Sequence, residues 1–419
     1  MDADGLRAPP TTAVEQVEKW NFPRRNIWRT SAAFLGFAVM GMNDAAIGAL
    51  IPYLETYYNL NYAIVSLVFL SPLVGYTASA MLNNMVHLRF GQRGVALICP
   101  TCHIIAYAVA SIHPPFPVLV VIFMLAGFGN GLEDAAWNAW VGNMARTNEV
   151  LGFLHAFYGL GATVAPIIAT SMITQGGFPW YYFYYLMLAV AALELLASST
   201  AFWSATGAEY RAAHPRTPGA EGGRMKEALF RRPAARVTWI CSLFLFVYVG
   251  AEVALGGWIT TFMLRVRHGS ALASGIAATG FWAGMTLGRV VLGFVTPRIG
   301  EWRAVLIYLP LCIGLQLLFW LVPQFYVSAV AIGLQGFFLG PLFPAAVVAT
   351  TKLLPRHLHV GSVGFAAAFG GGGAAMFPFA VGAIAQARGV QVLQPIVLAM
   401  LCVLWVLWFS LPRMGTKRE

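Results

Sequence analysis

The chain has 419 residues, of which 59% are hydrophobic and 10% charged. A soluble domain carries about 25% charged residues, so this composition excludes an ordinary water-soluble domain and points to lipid as the solvent. The formal net charge of +10 sits in short segments between apolar runs, a membrane-orientation pattern rather than a nucleic-acid surface.

Residues 1–26 are polar and of mixed charge, and are expected to form a disordered cytosolic tail. No short apolar core follows a basic start, so they are no secretory leader. A membrane-crossing helix needs about 20 mainly apolar residues. Such runs fall near 29–53, 62–84, 94–112, 116–143, 150–173 and 180–204, and again near 237–263, 270–295, 303–321, 324–350, 358–385 and 391–412. The expected fold is an all-α membrane protein with twelve transmembrane helices in two pseudo-symmetric six-helix bundles, 27–204 and 237–412. Residues 205–236, rich in Gly, Pro, Arg and Glu, read as a flexible cytosolic linker. Residues 413–419 read as a cytosolic C-terminal tail.

Lys and Arg occupy alternate loops. Arg24 and Arg25 precede the first run, Arg89 and Arg93 follow the second, and Arg146 follows the fourth. The 205–236 break is strongly basic, and Arg298, Lys352 and Arg413 continue the alternation. The opposite loops hold Arg265, Arg267 and Arg388. Cytosolic loops carry the excess of basic residues, so both termini are expected in the cytosol, with the plasma membrane as the default location.

The two halves echo one another at an offset of 208 or 209 residues. Asp44, Gly48 and Ile51 correspond to Glu252, Gly256 and Ile259, and Gly75 and Gly91 correspond to Gly284 and Gly300. Parallel six-helix repeats place a solute site between halves near the bilayer midplane.

A charged side chain at the bilayer centre costs about 2.5–3.5 kcal/mol on insertion scales. Acids inside apolar runs therefore need a partner, a proton or a use. Asp44, Glu133 and Glu252 lie mid-run, and Glu194 lies in a more uniformly apolar one. Low dielectric disfavours the ionised form of a carboxyl, so such groups suit proton coupling, and Asp44, Glu133 and Glu252 are the candidates. Asn43 adjoins Asp44, and Asn138 closes the stretch that holds Glu133. Asn130, Glu133 and Trp137 share one helical face. His155 and Tyr158 are one turn apart, as are Tyr248 and Glu252. With Trp282, these polar and aromatic side chains (Asn43, Asn130, Trp137, Asn138, His155, Tyr158, Tyr248, Trp282) are the candidate solute-binding set: rings stack on the C–H faces of a sugar while amides and carboxyls hold its hydroxyls. The alternative for the aromatic members is interhelical packing, and for His103 and His155 a satisfied core position. Cys99 and Cys102 form a C-x-x-C within an apolar run, without the second ligand pair that zinc requires. No metal-binding spacing, phosphate loop or hydrolase triad stands out, and neither cofactor nor enzymatic chemistry is expected.

The stretches Gly41-Met42-Asn43-Asp44 leading to Ile51-Pro52-Tyr53, Gly131-Leu132-Glu133-Asp134-Ala135-Ala136, Phe157-Tyr158-Gly159-Leu160-Gly161-Ala162 and Tyr248-Val249-Gly250-Ala251-Glu252 resemble the fucose/galactose/glucose proton symporter branch of the major facilitator superfamily. The resemblance runs over nearly the full length, and is narrower to fungal "bypass of stop codon"-type transporters. It implies alternating access by rocking bundles in a monomer, with proton coupling and sugar binding at Asp44 and Glu133. The chain departs from the branch at Glu252, His155 and Tyr158, and in the loop Arg89-Phe90-Gly91-Gln92-Arg93. The expected function is secondary active, proton-coupled symport of a sugar or similar small polar solute. Two other functions remain open: a proton antiporter exporting a drug-like or secondary metabolite, for which span five keeps Pro166 but lacks the following glycine pair, and a non-transporting receptor or scaffold.

Overall fold

The computed structural model describes residues 18–213, 227–355 and 358–413. Its elements are almost all helical. In the first half they are α1 (Arg25–Tyr58), α2 (Tyr62–Val65), α3 (Leu67–Ser111), α4 (Phe116–Gly142), α5 (Thr147–Thr174), α6 (Tyr182–Phe202) and the short α7 (Gly207–Ala213). The second half has α8 (Ala234–Arg265), α9 (Ala271–Ile299), α10 (Glu301–Leu321), α11 (Phe325–Leu339), α12 (Leu342–Leu353), α13 (His359–Arg388) and α14 (Leu393–Phe409).

Eleven helices among the described residues are long and apolar enough to cross a membrane, and one of these, Tyr62–Ser111, has 50 residues. At 1.5 Å per residue that is about 75 Å, more than twice what a bilayer core of about 30 Å requires. It crosses twice, reversing at Gly91, whose φ of 70° and ψ of −163° leave the helical region. The twelve expected crossings are thus present, with the second and third joined through one bent element instead of a separate loop. A Cβ at Gly91 would strike the backbone of Ala205 and Thr206, so only glycine serves both the left-handed φ and the close approach. Near Gly340 and Pro341 the tenth crossing divides into α11 and α12.

The repeat read from glycines is structural. Gly75 packs on the backbone of Met124 and Phe128 in α4, and its counterpart Gly284 packs on that of Gly333 and Phe337 in α11. Gly91 and Gly300 both take positive φ, 70° and 90°, at matching reversals. Gly48 and Gly256 meet each other directly across the halves. Small residues at these positions let backbones approach in a solvent that supplies no hydrophobic drive between helices.

Two stretches expected as loose chain are docked. Glu18 accepts from the backbone N–H of Ala145, and its carboxylate accepts from Asn26 Nδ2 at 3.1 Å. The beginning of the 205–236 segment lies along α3: the Arg93 N–H donates to the Ala205 carbonyl at 2.9 Å, and the Arg211 guanidinium donates to the Leu88 carbonyl. The remainder of those two segments, 1–17 and 214–226, and residues 414–419 of the C-terminal tail lie outside the described residues.

The halves clasp at one end of the bundle. There Arg265 faces Glu55 at 3.7 Å, the Tyr62 N–H donates to Gln386 Oε1 at 3.0 Å, and Trp258 packs against Tyr62 and Phe69. Gly382 presses on Ser66 and Trp258. Along α5 and α9 the contact continues through Thr170 against Gly275 and Gly159 against Thr286. All of these lie level with mid-bundle or toward the end away from the chain termini.

Candidate functional site

Asp44 sits mid-way along α1 and is half-buried. Its Oδ1 accepts from Asn43 Nδ2 at 3.0 Å and from Asn130 Nδ2 at 3.2 Å, and its Oδ2 accepts from Tyr158 Oη at 3.0 Å. Three helices, α1, α4 and α5, thus converge on one carboxylate through uncharged donors. Asn43 is held in turn by Tyr107 Oη on α3 at 3.2 Å. Asn138 on α4 donates to Asp134 Oδ1 at 2.7 Å and meets His155 Nε2 at 3.1 Å. Asp44, Asn138, His155 and Tyr158 are all partly accessible, so these predicted residues form one polar wall.

Glu133 lies deeper, at 1% exposure. Trp137, one turn on, donates its indole N–H to Glu133 Oε1 at 2.7 Å and stacks on Phe202 at 4.3 Å. Its ring is fully buried, so it orients Glu133 and is not an open stacking platform. A side chain at Gly36 would collide with the Glu133 carboxylate; α1 carries glycine there because the acid occupies the space.

In the second half, Glu252 on α8 is buried and pairs with Arg289 on α9, Nη2 to Oε1 at 2.9 Å. Arg289 is absent from the candidate set above, although the sequence carries its signal: an arginine in mid-helix, within an otherwise apolar run. Tyr248 is fully buried, with its hydroxyl 3.7 Å from Met285 Sδ. Trp282 is also buried, its indole pressed on Gly256. These two rings therefore lie in the packing of α8 against α9. His155 reaches across toward Phe343 on α12, with ring centroids 6.5 Å apart.

His103 and Glu194, named from the sequence as a core position and a mid-run acid but not as candidate site residues, meet in the structure. His103 on α3 bridges Asn130 Oδ1 at 2.9 Å and Glu194 Oε2 on α6 at 3.0 Å. One potential ligand atom each from His103, Glu133 and Glu194 lie within 4.8 Å of one another. The three come from three helices, so no linear spacing could reveal that they meet. Cys99 and Cys102 are buried free thiols.

The arrangement gathers carboxyl, amide, imidazole and phenol groups from several helices at mid-bundle. Comparison with known proteins shows the family and the fold. A family model described as Major Facilitator Superfamily matches residues 33–332. Bypass of stop codon protein 6 of Saccharomyces cerevisiae is 30% identical over 411 residues, covering 91% of this chain and 82% of its own. The glucose/mannose transporter GlcP of Bacillus subtilis is 22% identical, covering 83% and 85%. Among solved structures, a D-xylose–proton symporter superposes with a TM-score of 0.72 at 14% identity, covering 94% of this chain and 99% of that one. The transporter FucP in its outward conformation gives 0.62 at 16% identity, covering 92% and 98%.

Proposed function

We propose that this chain, which belongs to the Major Facilitator Superfamily, is a proton-coupled symporter of a small, hydroxyl-rich solute of the sugar class. The observation that carries the reading is the setting of Asp44. This carboxyl is half-buried between helices and held only by neutral donors, Asn43, Asn130 and Tyr158. It can gain or lose a proton without breaking an ion pair, and it borders the accessible polar wall.

The solute site is assigned to Asp44, Asn138, His155 and Tyr158, facing Arg289 and the tenth crossing. Carboxylate, amide, imidazole and phenol offer donors and acceptors at several angles, which suits a polyol better than an apolar compound. That one relative is a glucose/mannose transporter and one structural neighbour a D-xylose–proton symporter supports the solute class. Glu133 and Asp44 couple the proton, and Trp137 with Asn130 positions them. Glu252 with Arg289 fixes the opposing wall. The clasp at Glu55–Arg265, Tyr62–Gln386 and Gly48–Gly256 closes one face of the cleft, so the solute enters and leaves at the face nearer the termini in this conformation. With cytosolic termini, that face is the inward one.

The test is uptake by proteoliposomes under an imposed pH gradient, against a panel of labelled hexoses, deoxyhexoses and pentoses. Uphill accumulation that collapses with the gradient and alkalinises the medium is expected. Glu133→Gln should keep solute counterflow and lose accumulation. Gradient-driven extrusion of apolar compounds, with no sugar movement, would instead make the chain an exporter.

A further inference from the structure

Three side chains from three helices make a sealed knot behind the solute cleft. His103, Glu133 and Glu194 are at most 1% exposed, as is the connecting Asn130. The hydrogen-bond directions are nearly forced. An ionised Asp44 only accepts, so Asn130 turns its Nδ2 toward Asp44 Oδ1 and its own Oδ1 toward His103. His103 Nε2 must then carry hydrogen, because an amide oxygen cannot donate. At the other side of the ring, Nδ1 lies 3.0 Å from Glu194 Oε2. That contact needs one proton, on either the imidazole or the acid.

Two oxygens remain. Glu133 Oε2 and Glu194 Oε1 are buried without any hydrogen-bond partner, although their carboxyls belong to the same knot. Two dehydrated carboxylates cannot both stay ionised so close together. One proton between the two acids and, beside the hydrogen on Nε2, a second on His103 Nδ1, which makes the ring an imidazolium, leave the group neutral and give every buried oxygen a use.

We propose that Glu133, Glu194 and His103 form one proton-holding unit, in which the two carboxyls share a proton across their unpartnered oxygens and His103 ties that pair, through Asn130, to Asp44. Its role in transport rests on the symport reading above; the shared proton itself does not. Asn130 has no proton to hand on, so it transmits the state of Asp44 by orientation: when Asp44 gains a proton, its hold on the Asn130 amide weakens and the His103 contact loosens. The other titratable groups facing the knot are Asp44 from α1, Tyr76, Cys99 and Tyr107 from α3, and Asp134 from α4.

Infrared difference spectroscopy on the full chain in lipid bilayers, titrated through neutral pH, reads protonated carboxyls directly and needs no solute. A shared proton predicts one broad carboxyl band that both Glu133→Gln and Glu194→Gln abolish, and that His103→Gln displaces. Loss of a carboxyl band in Glu133→Gln with no change in Glu194→Gln would place the proton on a single acid and overturn the proposal. Should Glu194→Gln not fold, an unmoved band in His103→Gln overturns it equally. Stoichiometric metal retained by the purified chain and released by Glu133→Gln would do the same. Since none of these measurements involves transport, failure of the symport assay and failure of the shared proton are separate results.

Discussion

Asp44 and Glu252 occupy equivalent positions in the two halves, yet they live differently. Asp44 is half-buried and surrounded by amides and a phenol, while Glu252 is buried and locked to the guanidinium of Arg289. A carboxylate with neutral donors can change charge without stranding a partner. A carboxylate paired with arginine cannot, because loss of either charge leaves the other uncompensated in low dielectric. Under the proposed function the two halves divide labour: the first half carries the groups suited to exchanging protons, and the second supplies a fixed charge pair. Glu252, expected from sequence to join the proton-coupling acids, is on this reading a structural and orienting group.

The largest effect should come from breaking the fixed pair. Arg289→Met leaves Glu252 buried and alone, and stability should fall by about 3–5 kcal/mol, read as a lowered thermal midpoint in lipid nanodiscs. Adding Glu252→Leu should restore most of it. If the single variant melts no lower than the double, the two acids are not distinguished by their partners. A smaller loss is expected from Tyr158→Phe, which removes one of three donors to Asp44. A hydrogen bond to a charged group contributes roughly 1.5–3 kcal/mol, so proton-driven accumulation should drop by about tenfold or more, with a fall in the melting midpoint no larger than that one bond accounts for. A midpoint that falls as far as that of Arg289→Met would make Tyr158 a packing residue. The smallest effect belongs to the clasp. Glu55→Gln removes a pair 3.7 Å apart whose arginine is largely solvated, a contact of about 0.2–1 kcal/mol. Spin-label distances across that end should show a modest shift toward opening, and high salt should produce the same shift in the unmodified chain.

The crossings were legible because a hydrocarbon solvent demands long apolar helices, and composition records that demand directly. The glycine offset was legible for a related reason: close approach of backbones tolerates no side chain, so Gly48, Gly75, Gly91 and their counterparts mark contacts in the sequence itself. Asp44 and Glu133 could be found as costly residues in the wrong solvent. Arg289 obeys the same rule, a charged group in an apolar run, and its partner Glu252 lies on a different helix, out of reach of any linear spacing. Trp137 was correctly placed beside Glu133, but whether its ring faced the cleft or the wall was beyond helical periodicity.

What the sequence determined by itself is the solvent, the twelve crossings, the duplicated plan and the presence of ionisable groups where they are expensive, since each follows from local composition or from a fixed spacing along one helix. Only the tertiary structure decided which acid meets which partner. His103, Glu133 and Glu194 lie on separate helices, as do Glu252 and Arg289, and their distances depend on how those helices cross. Charge, proton occupancy and hydrogen bonding act over a few ångströms in space, without regard to separation along the chain.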